Sequence, residues 1–326
     1  MKAIVLAGGL GSRLYPATWG LSKQLLPVYD KPMVFYPLSV VMLSGIRDIL
    51  LISQEEHLPQ YQRMLGDGRR FGVTISYAKQ DQPRGIADAF LVGRYFIGNH
   101  RVCLTLGDNI FYGQGLTAYL RKAAAPSSHA TLFSYRVPNP SDFGVVCFSS
   151  DGRPLQIDEK PARPKSHFAI TGLYFYPNDV VDLAGGLRPS SRGELEITDI
   201  NSFYLSQNRL EVERLGRGIA WLDTGRPQSL LAASQFIETI EERQGIKIAC
   251  LEEIAFNNGW ISIDELSAAA SAFKSSDYGN YLGDLCRAQP TNNFSGVTYI
   301  SDQFRQAGDV PNKSCVTTGG PVIEDR

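Results

Sequence analysis

The stretch from Ala7 to Pro32, AGGLGSRLYPATWGLSKQLLPVYDKP, places Gly8, Gly9 and Gly11 next to Arg13, with Lys23 soon after. Glycines let backbone N–H groups approach phosphate oxygens closely. Arg13 offers a rigid guanidinium fork and Lys23 a compact charge, both suited to phosphate. Two common phosphate loops fail here. A P-loop needs Gly-Lys followed by Ser or Thr, and none occurs. A dinucleotide fingerprint begins at Gly9-Leu10-Gly11, but Leu14 stands where its third glycine belongs. What remains is G-G-x-G-S-R followed by S-K-Q-L-L-P, a basic loop fit to hold a polyphosphate. A tight turn with two solvated cations is the alternative for an isolated GGxG, and the extended string weighs against it.

Five further stretches carry candidate chemistry. LGDNIFYG puts Asp108 at the end of a predicted strand, and WLDTG does the same for Asp223. Two strand-end carboxylates could hold one hard cation against a triphosphate, although Asp-Asn is also a common turn. IDEKPARPK carries Glu159 and Lys160, readable otherwise as a weak surface pair. RGELEITD carries Arg192 and Glu194, readable otherwise as the acidic start of a helix. KQDQPRGIADAF carries Gln80 and Gly85, where an amide could read a base edge or a polar turn could simply close.

These residues need a frame. The chain has 326 residues, 43% hydrophobic and 20% charged, with a net charge of −1. A near-neutral chain has no global electrostatic reason to bind nucleic acid or an anionic membrane, so any anion site is local. No apolar run approaches the ~18 residues of a membrane span, and the first apolar stretch is too short for a secretory signal. Five scattered cysteines without CxxC spacing fit neither a disulfide framework nor a zinc site, and agree with a reducing cytoplasm.

Near-continuous apolar runs at 2–8, 46–53, 73–78, 101–108 and 130–137 read as strands buried on both faces. Helix-like segments at 33–45, 87–98 and 116–125 alternate with them. This predicts an α/β fold with a Rossmann-like, mostly parallel central sheet flanked by helices. Residues 144–161 read as a hairpin turning at Asp151-Gly152, and 169–177 as another strand, giving a smaller, partly antiparallel insert that carries a substrate. Ile197, Ile200 and Tyr204 form a helical stripe, 218–225 a late strand, and Ala233, Phe236, Ile237 and Ile240 a second helical face. The expected division is an α/β core including the insert at 1–228, a helical region at 229–288, and a polar, poorly structured tail at 289–326.

Taken in order, SKQLLPVYDKPM, LGDNIFYG, DEKP, TGLYFYP, RGELEITDIN, AWLDTG and IEERQG resemble the sugar-nucleotide pyrophosphorylases, specifically the thymidylyltransferase branch that serves bacterial dTDP-rhamnose synthesis. The resemblance covers about residues 1–285. It implies transfer of a nucleotidyl group from dTTP to glucose 1-phosphate, dependent on Mg²⁺, in a cytoplasmic homotetramer. It further implies that Gly8, Gly11, Ser12 and Arg13 embrace the triphosphate beside Lys23, and that Gln24 positions the nucleotide. Gln80 and Gly85 would meet the base. Asp108 and Asp223 would ligate the metal. Gly144, Glu159, Lys160, Tyr174, Arg192 and Glu194 would line the sugar phosphate pocket. With Arg13, Lys23, Asp108, Lys160 and Asp223 as the catalytic set, no general base is needed, because a sugar phosphate is already anionic. Three departures stand out. Ser12 replaces the usual threonine. Arg84 and Asp88 stand where aspartate and glutamine are usual. Arg226-Pro227 stands where Thr-His is common. Arg84 motivates a rival reading with another base or sugar, and a non-catalytic nucleotide-sugar binder is the rival of another class.

Overall fold

The computed structural model describes residues 1–288. The chain opens with β1 (Lys2–Ala7), a small ribbon of β2 (Pro27–Val28) and β3 (Lys31–Pro32), and helix α1 (Phe35–Leu43). Then come β4 (Asp48–Ser53), α2 (Leu58–Leu65), β5 (Thr74–Lys79), α3 (Asp88–Val92) and α4 (Arg94–Ile97). Next are β6 (Val102–Leu106), β7 (Asn109–Gly113), α5 (Leu116–Ala124), β8 (Ala130–Arg136), β9 (Gly144–Phe148), β10 (Pro154–Glu159) and β11 (Phe168–Tyr176). The remaining elements are α6 (Val180–Gly186), α7 (Ile197–Ser206), β12 (Leu210–Arg214), β13 (Ile219–Asp223), α8 (Pro227–Gln244), α9 (Leu251–Asn257), α10 (Ile263–Ala272) and α11 (Asp277–Arg287).

Nine strands form one mixed sheet with the path β10-β9-β11-β6-β1-β4-β5, while β8 pairs β11 and β12. β1 runs parallel to both β4 and β6. The chain therefore leaves β1 in one direction to β4 and β5, then returns to lay β6 on its other side. That reversal opens a crevice beyond the carboxyl ends of β1 and β6, where ligands bind in such sheets. The glycine loop follows β1, and Asp108 lies two residues past β6.

The apolar strand sequences are explained by two-sided burial. Ala3, Val5, Ile49 and Leu51 pack in a core with α1 and α9, whereas Ile4, Leu50 and Ile52 pack in another with α3, α6 and α7. The five predicted strands of the first half all form. The predicted helix at 87–98 is instead two short helices that break at Gly93, where an added Cβ would lie 2.8 Å from Ile4 Cδ1. The hairpin at 144–161 forms as predicted, but it extends the main sheet through β9 and β11. Among the described residues no helix is long and apolar enough to cross a membrane. The expectation for 289–326 lies outside the described residues.

Candidate active site

The crevice holds a cavity of about 240 Å³. Arg13, Asp108 and Asp223 line one part of it, and Gly144, Glu159, Lys160, Tyr174, Arg192 and Glu194 line the other. Nine of the sequence-predicted residues thus converge. Lys23 joins them through its ion pair with Asp108. Gly8, Gly11, Ser12, Gln24, Gln80 and Gly85 do not line this cavity; Gln80 reaches the glycine loop at Gly8, whereas Gly85 packs against Leu195.

The loop is shaped by local constraints. Gly11 has φ 63°, and an added Cβ there would lie 3.2 Å from both Lys23 Cβ and Thr18 Cγ2. Thr18 Oγ1 donates to the Gly11 carbonyl at 2.8 Å, which pins the turn. Ser12 and Arg13 remain exposed, whereas Lys23 and Gln24 are buried. Gln24 Oε1 accepts from Ser22 Oγ at 2.9 Å.

Asp108 and Asp223 meet because β7 and β13 pair antiparallel, with Asp223 opposite Asn109. Sequence reading missed β7, since Asp-Asn reads as a turn. Asn109 is the fixture of this corner. Its Oδ1 accepts from Trp221 Nε1 at 2.6 Å and from the Gly172 amide at 3.0 Å, and its Nδ2 donates to Asp108 Oδ1 at 3.0 Å. Thr224 Oγ1 donates to the Asp108 carbonyl at 2.8 Å. Burial alone would raise the Asp108 carboxyl, but the Lys23 charge and the hydrogen bonds from Lys23 and Asn109 outweigh it and hold it below the usual value. Asp223 has no ion pair among the described residues, and the charges of Lys23 and Arg13 and the Gly225 amide only partly offset its burial. Burial first, and the charge of Asp108 second, push its carboxyl above the usual value.

The far side of the cavity is a carboxylate clamp. Arg192 Nη2 contacts Glu196 Oε1 and Oε2 at 2.9 and 2.8 Å and Glu159 Oε1 at 3.1 Å. Thr198 Oγ1 donates to Glu159 Oε2 at 2.6 Å. Glu196 and Thr198 were not singled out from the sequence; their signal was their place directly after RGE. Lys160 adopts φ 42°, a left-handed conformation unusual for a side-chain-bearing residue, and its amide donates to the Phe143 carbonyl at 3.1 Å. That turn leaves its amine at the rim, 3.8 Å from Glu159 Oε1. Burial, then the charges of Glu159 and Asp108, push the Tyr174 hydroxyl up, so it stays a donor.

The loop carrying Arg84 and the loop carrying Leu195 are joined by backbone. The Leu195 amide donates to the Arg84 carbonyl at 2.7 Å, and the Ala87 amide to the Leu195 carbonyl at 3.4 Å. Gly85 sits between them at φ 101°, where a Cβ would lie 2.5 Å from the Leu195 carbonyl oxygen. Only glycine fits this seam.

A cluster of carboxylates and cations at the switch point of an α/β sheet suits charge neutralisation and positioning of phosphoryl groups. The model of the family described as nucleotidyl transferase matches residues 2–240. The chain is similar to glucose-1-phosphate thymidylyltransferase of Neisseria meningitidis, 57% identical over 282 residues, covering 86% of this chain and 98% of that relative. It is similar to the Mycobacterium tuberculosis protein of the same name, 54% identical over 285 residues, with 87% and 99% covered. A solved Bacillus anthracis structure, assigned as a glucose-1-phosphate thymidylyltransferase and bound to sucrose, matches with TM-score 0.68 and 39% identity over 72% of this chain and 94% of that one.

Proposed function

The chain belongs to the nucleotidyl transferase family, and from that premise we propose that it transfers the thymidylyl group of dTTP to glucose 1-phosphate, giving dTDP-glucose and pyrophosphate. The observation that carries this reading is the meeting of Arg13, Asp108 and Asp223 with Lys160 and Glu159 around one cavity. A phosphate oxygen of the sugar phosphate attacks the α-phosphorus, and the bond from that phosphorus to the bridging oxygen breaks. The attacking oxygen is already charged, which agrees with a site that offers no Ser-His or Cys-His pair.

The residues divide the work. Arg13 makes no ion pair among the described residues, so its guanidinium is available to the departing pyrophosphate. Lys23 spends one of its three N–H groups on Asp108 and keeps the rest for phosphate. Lys160 at the rim faces the sugar phosphate, and the Arg192 clamp orients Glu159 and Glu196 as acceptors for sugar hydroxyls. Gly8, Gly11 and Ser12 cradle the triphosphate, Gln24 positions the nucleotide, and Gln80 and Gly85 meet the base.

Asp108 and Asp223 fit a divalent cation, proposed as Mg²⁺. Both are hard oxygen donors, and Asp223 makes no ion pair among the described residues and is raised by burial and then by the charge of Asp108, which a cation would relieve. Among the described residues no three His, Cys, Asp or Glu are grouped so as to hold a metal ion by themselves, so further ligands would come from phosphate and water. When bound, the cation supplies positive charge to the phosphoryl oxygens. The proposal extends to a cytoplasmic homotetramer, and to residues 1–228 as the chemical core with 229–288 as its helical brace, since every site residue precedes Pro227. The experiment is release of pyrophosphate by purified protein with Mg²⁺, glucose 1-phosphate and each nucleoside triphosphate in parallel. Release with dTTP that depends on the sugar phosphate is expected. Release only with another nucleotide would reassign the base, and none with any would remove the reading.

A further inference from the structure

The two departures at Arg84 and Asp88 are one device. Gln80 follows β5 and is buried, 5% exposed, with its side chain beside the glycine loop. Its Nε2 donates to Asp88 Oδ2 at 2.9 Å. Asp88 is 1% exposed, and its other oxygen, Oδ1, accepts from Arg84 Nη2 at 2.7 Å. Arg84 stays largely exposed and turns its charge inward, onto Asp88.

A carboxylate bound to a guanidinium can only accept hydrogen bonds. The amide of Gln80 must then give its nitrogen to Asp88, since the flipped orientation would set two acceptors together. Its oxygen, Oε1, is left on the other side. That oxygen lies against Gly8, where an added Cβ would collide with it. Among the described residues nothing donates to Oε1. A free carboxamide presents either end with similar ease; this one presents only its acceptor.

We propose that Asp88, held by Arg84, is a positioning residue that fixes Gln80 as an acceptor toward the nucleobase and so selects bases whose ring nitrogen carries a hydrogen. The inference rests on the reading above, in which Gln80 meets the base. Thymine and uracil donate from N3, whereas cytosine N3 accepts and would face Oε1 acceptor to acceptor. The device is blind to the thymine methyl group, because uracil shows the same hydrogen-bonding edge. It therefore governs one selectivity ratio and leaves another alone.

The test measures kcat/KM for pyrophosphate release from dTTP, dUTP and dCTP with Mg²⁺ and glucose 1-phosphate, using the full chain and the variants Asp88→Asn and Arg84→Ala. Asparagine can donate as well as accept, so Gln80 is freed to turn. The dTTP-over-dCTP ratio should fall about tenfold in Asp88→Asn, with the dTTP-over-dUTP ratio and the KM for glucose 1-phosphate unchanged. Arg84→Ala alters an exposed side chain and keeps the test open if Asp88→Asn folds poorly; it should move the same ratio in the same direction, by about threefold. A dTTP-over-dCTP preference that survives in both variants overturns the clamp and leaves thymidylyl transfer standing. An equal loss of rate with all three nucleotides also overturns it, as that is what loosening the loop would do. A wild-type chain that turns over none of them overturns the underlying reading and the clamp together.

Discussion

Two charge clusters built from the same residue types do opposite things. Between the β2–β3 ribbon and α8, Lys31 and Lys247 each contact both Asp30 and Glu241, at 2.9 Å for Lys31–Glu241 and 2.8 Å for both Lys247 pairs. Glu241 Oε1 also accepts from the Ile248 amide at 2.9 Å. Every carboxylate there is answered, and the Asp30 carboxyl is held below its usual value: burial would raise it, but the two lysines prevail. At the cavity, Lys23 answers Asp108 alone, while Asp223 and Arg13 have no ion-pair partner among the described residues. The first cluster is closed and ties the β2–β3 ribbon to α8. The second is left incomplete, as the proposed charged substrate requires. In these two lysine–aspartate clusters, partner count rather than residue type makes the difference.

The contrast breaks or holds under substitution. Asp108→Ala should lower kcat on the order of 10³-fold with the fold kept by circular dichroism, because Lys23 can turn to the unpaired Asp223. Activity near wild type would remove Asp108 from the chemistry. Glu241→Gln should do the reverse. Removing one partner from a buried, satisfied cluster costs about 4 kcal/mol, read by urea unfolding, while kcat stays within about twofold in this expectation. A kinetic loss there as large as that of Asp108→Ala would erase the distinction.

The two clusters also differ in how far they were legible. Asp108, Asp223, Lys23 and Arg13 could be found because each ends or follows a recognisable strand, and ligands gather there in such sheets. The closed cluster could not. Asp30 and Lys31 sit inside a string that reads as one motif, and Glu241 is 210 residues away from Lys31. Strands buried on both faces were readable from composition alone. β7 and β12 were not, since NIFYG follows a turn-like Asp-Asn and LEVER alternates charge with apolar residues. The need for glycine at residue 93 depends on how close Ile4 comes, which no local pattern reports. Glu196 and Thr198 look like an ordinary helix start, and only Arg192 and Glu159 give them a second meaning.

A third region extends the comparison to a buried acid with no cation at all. Glu253 on α9 accepts from Tyr281 OH at 2.9 Å. Burial pushes its carboxyl up from 4.5 to about 7, and the tyrosine hydrogen bond only partly offsets this. A raised carboxyl stabilises the fold fully below its unfolded value and loses that contribution as pH climbs through the folded one. Stability should therefore decline between about pH 4.5 and 7, by about 3 kcal/mol. Glu253→Gln should flatten that decline in melts taken across the range. An unchanged slope would mean that Glu253 is ionised throughout.

The smallest effect tests the incompleteness of the site itself. Asp223 is raised by burial and by Asp108, with Lys23 and Arg13 opposing. By the same sign, its ionisation costs the ligand-free fold stability as pH rises above the usual carboxylate range. Asp223→Asn should then melt slightly higher than wild type at neutral pH and converge with it in acid. Its turnover should fall even as its melting temperature rises. That divergence is expected of a carboxylate kept for a ligand and not of a brace: Glu241→Gln loses stability and keeps activity. Were Asp223→Asn to melt lower at neutral pH, Asp223 would have an ion-pair partner after all, and the site would be as closed as the cluster between the β2–β3 ribbon and α8.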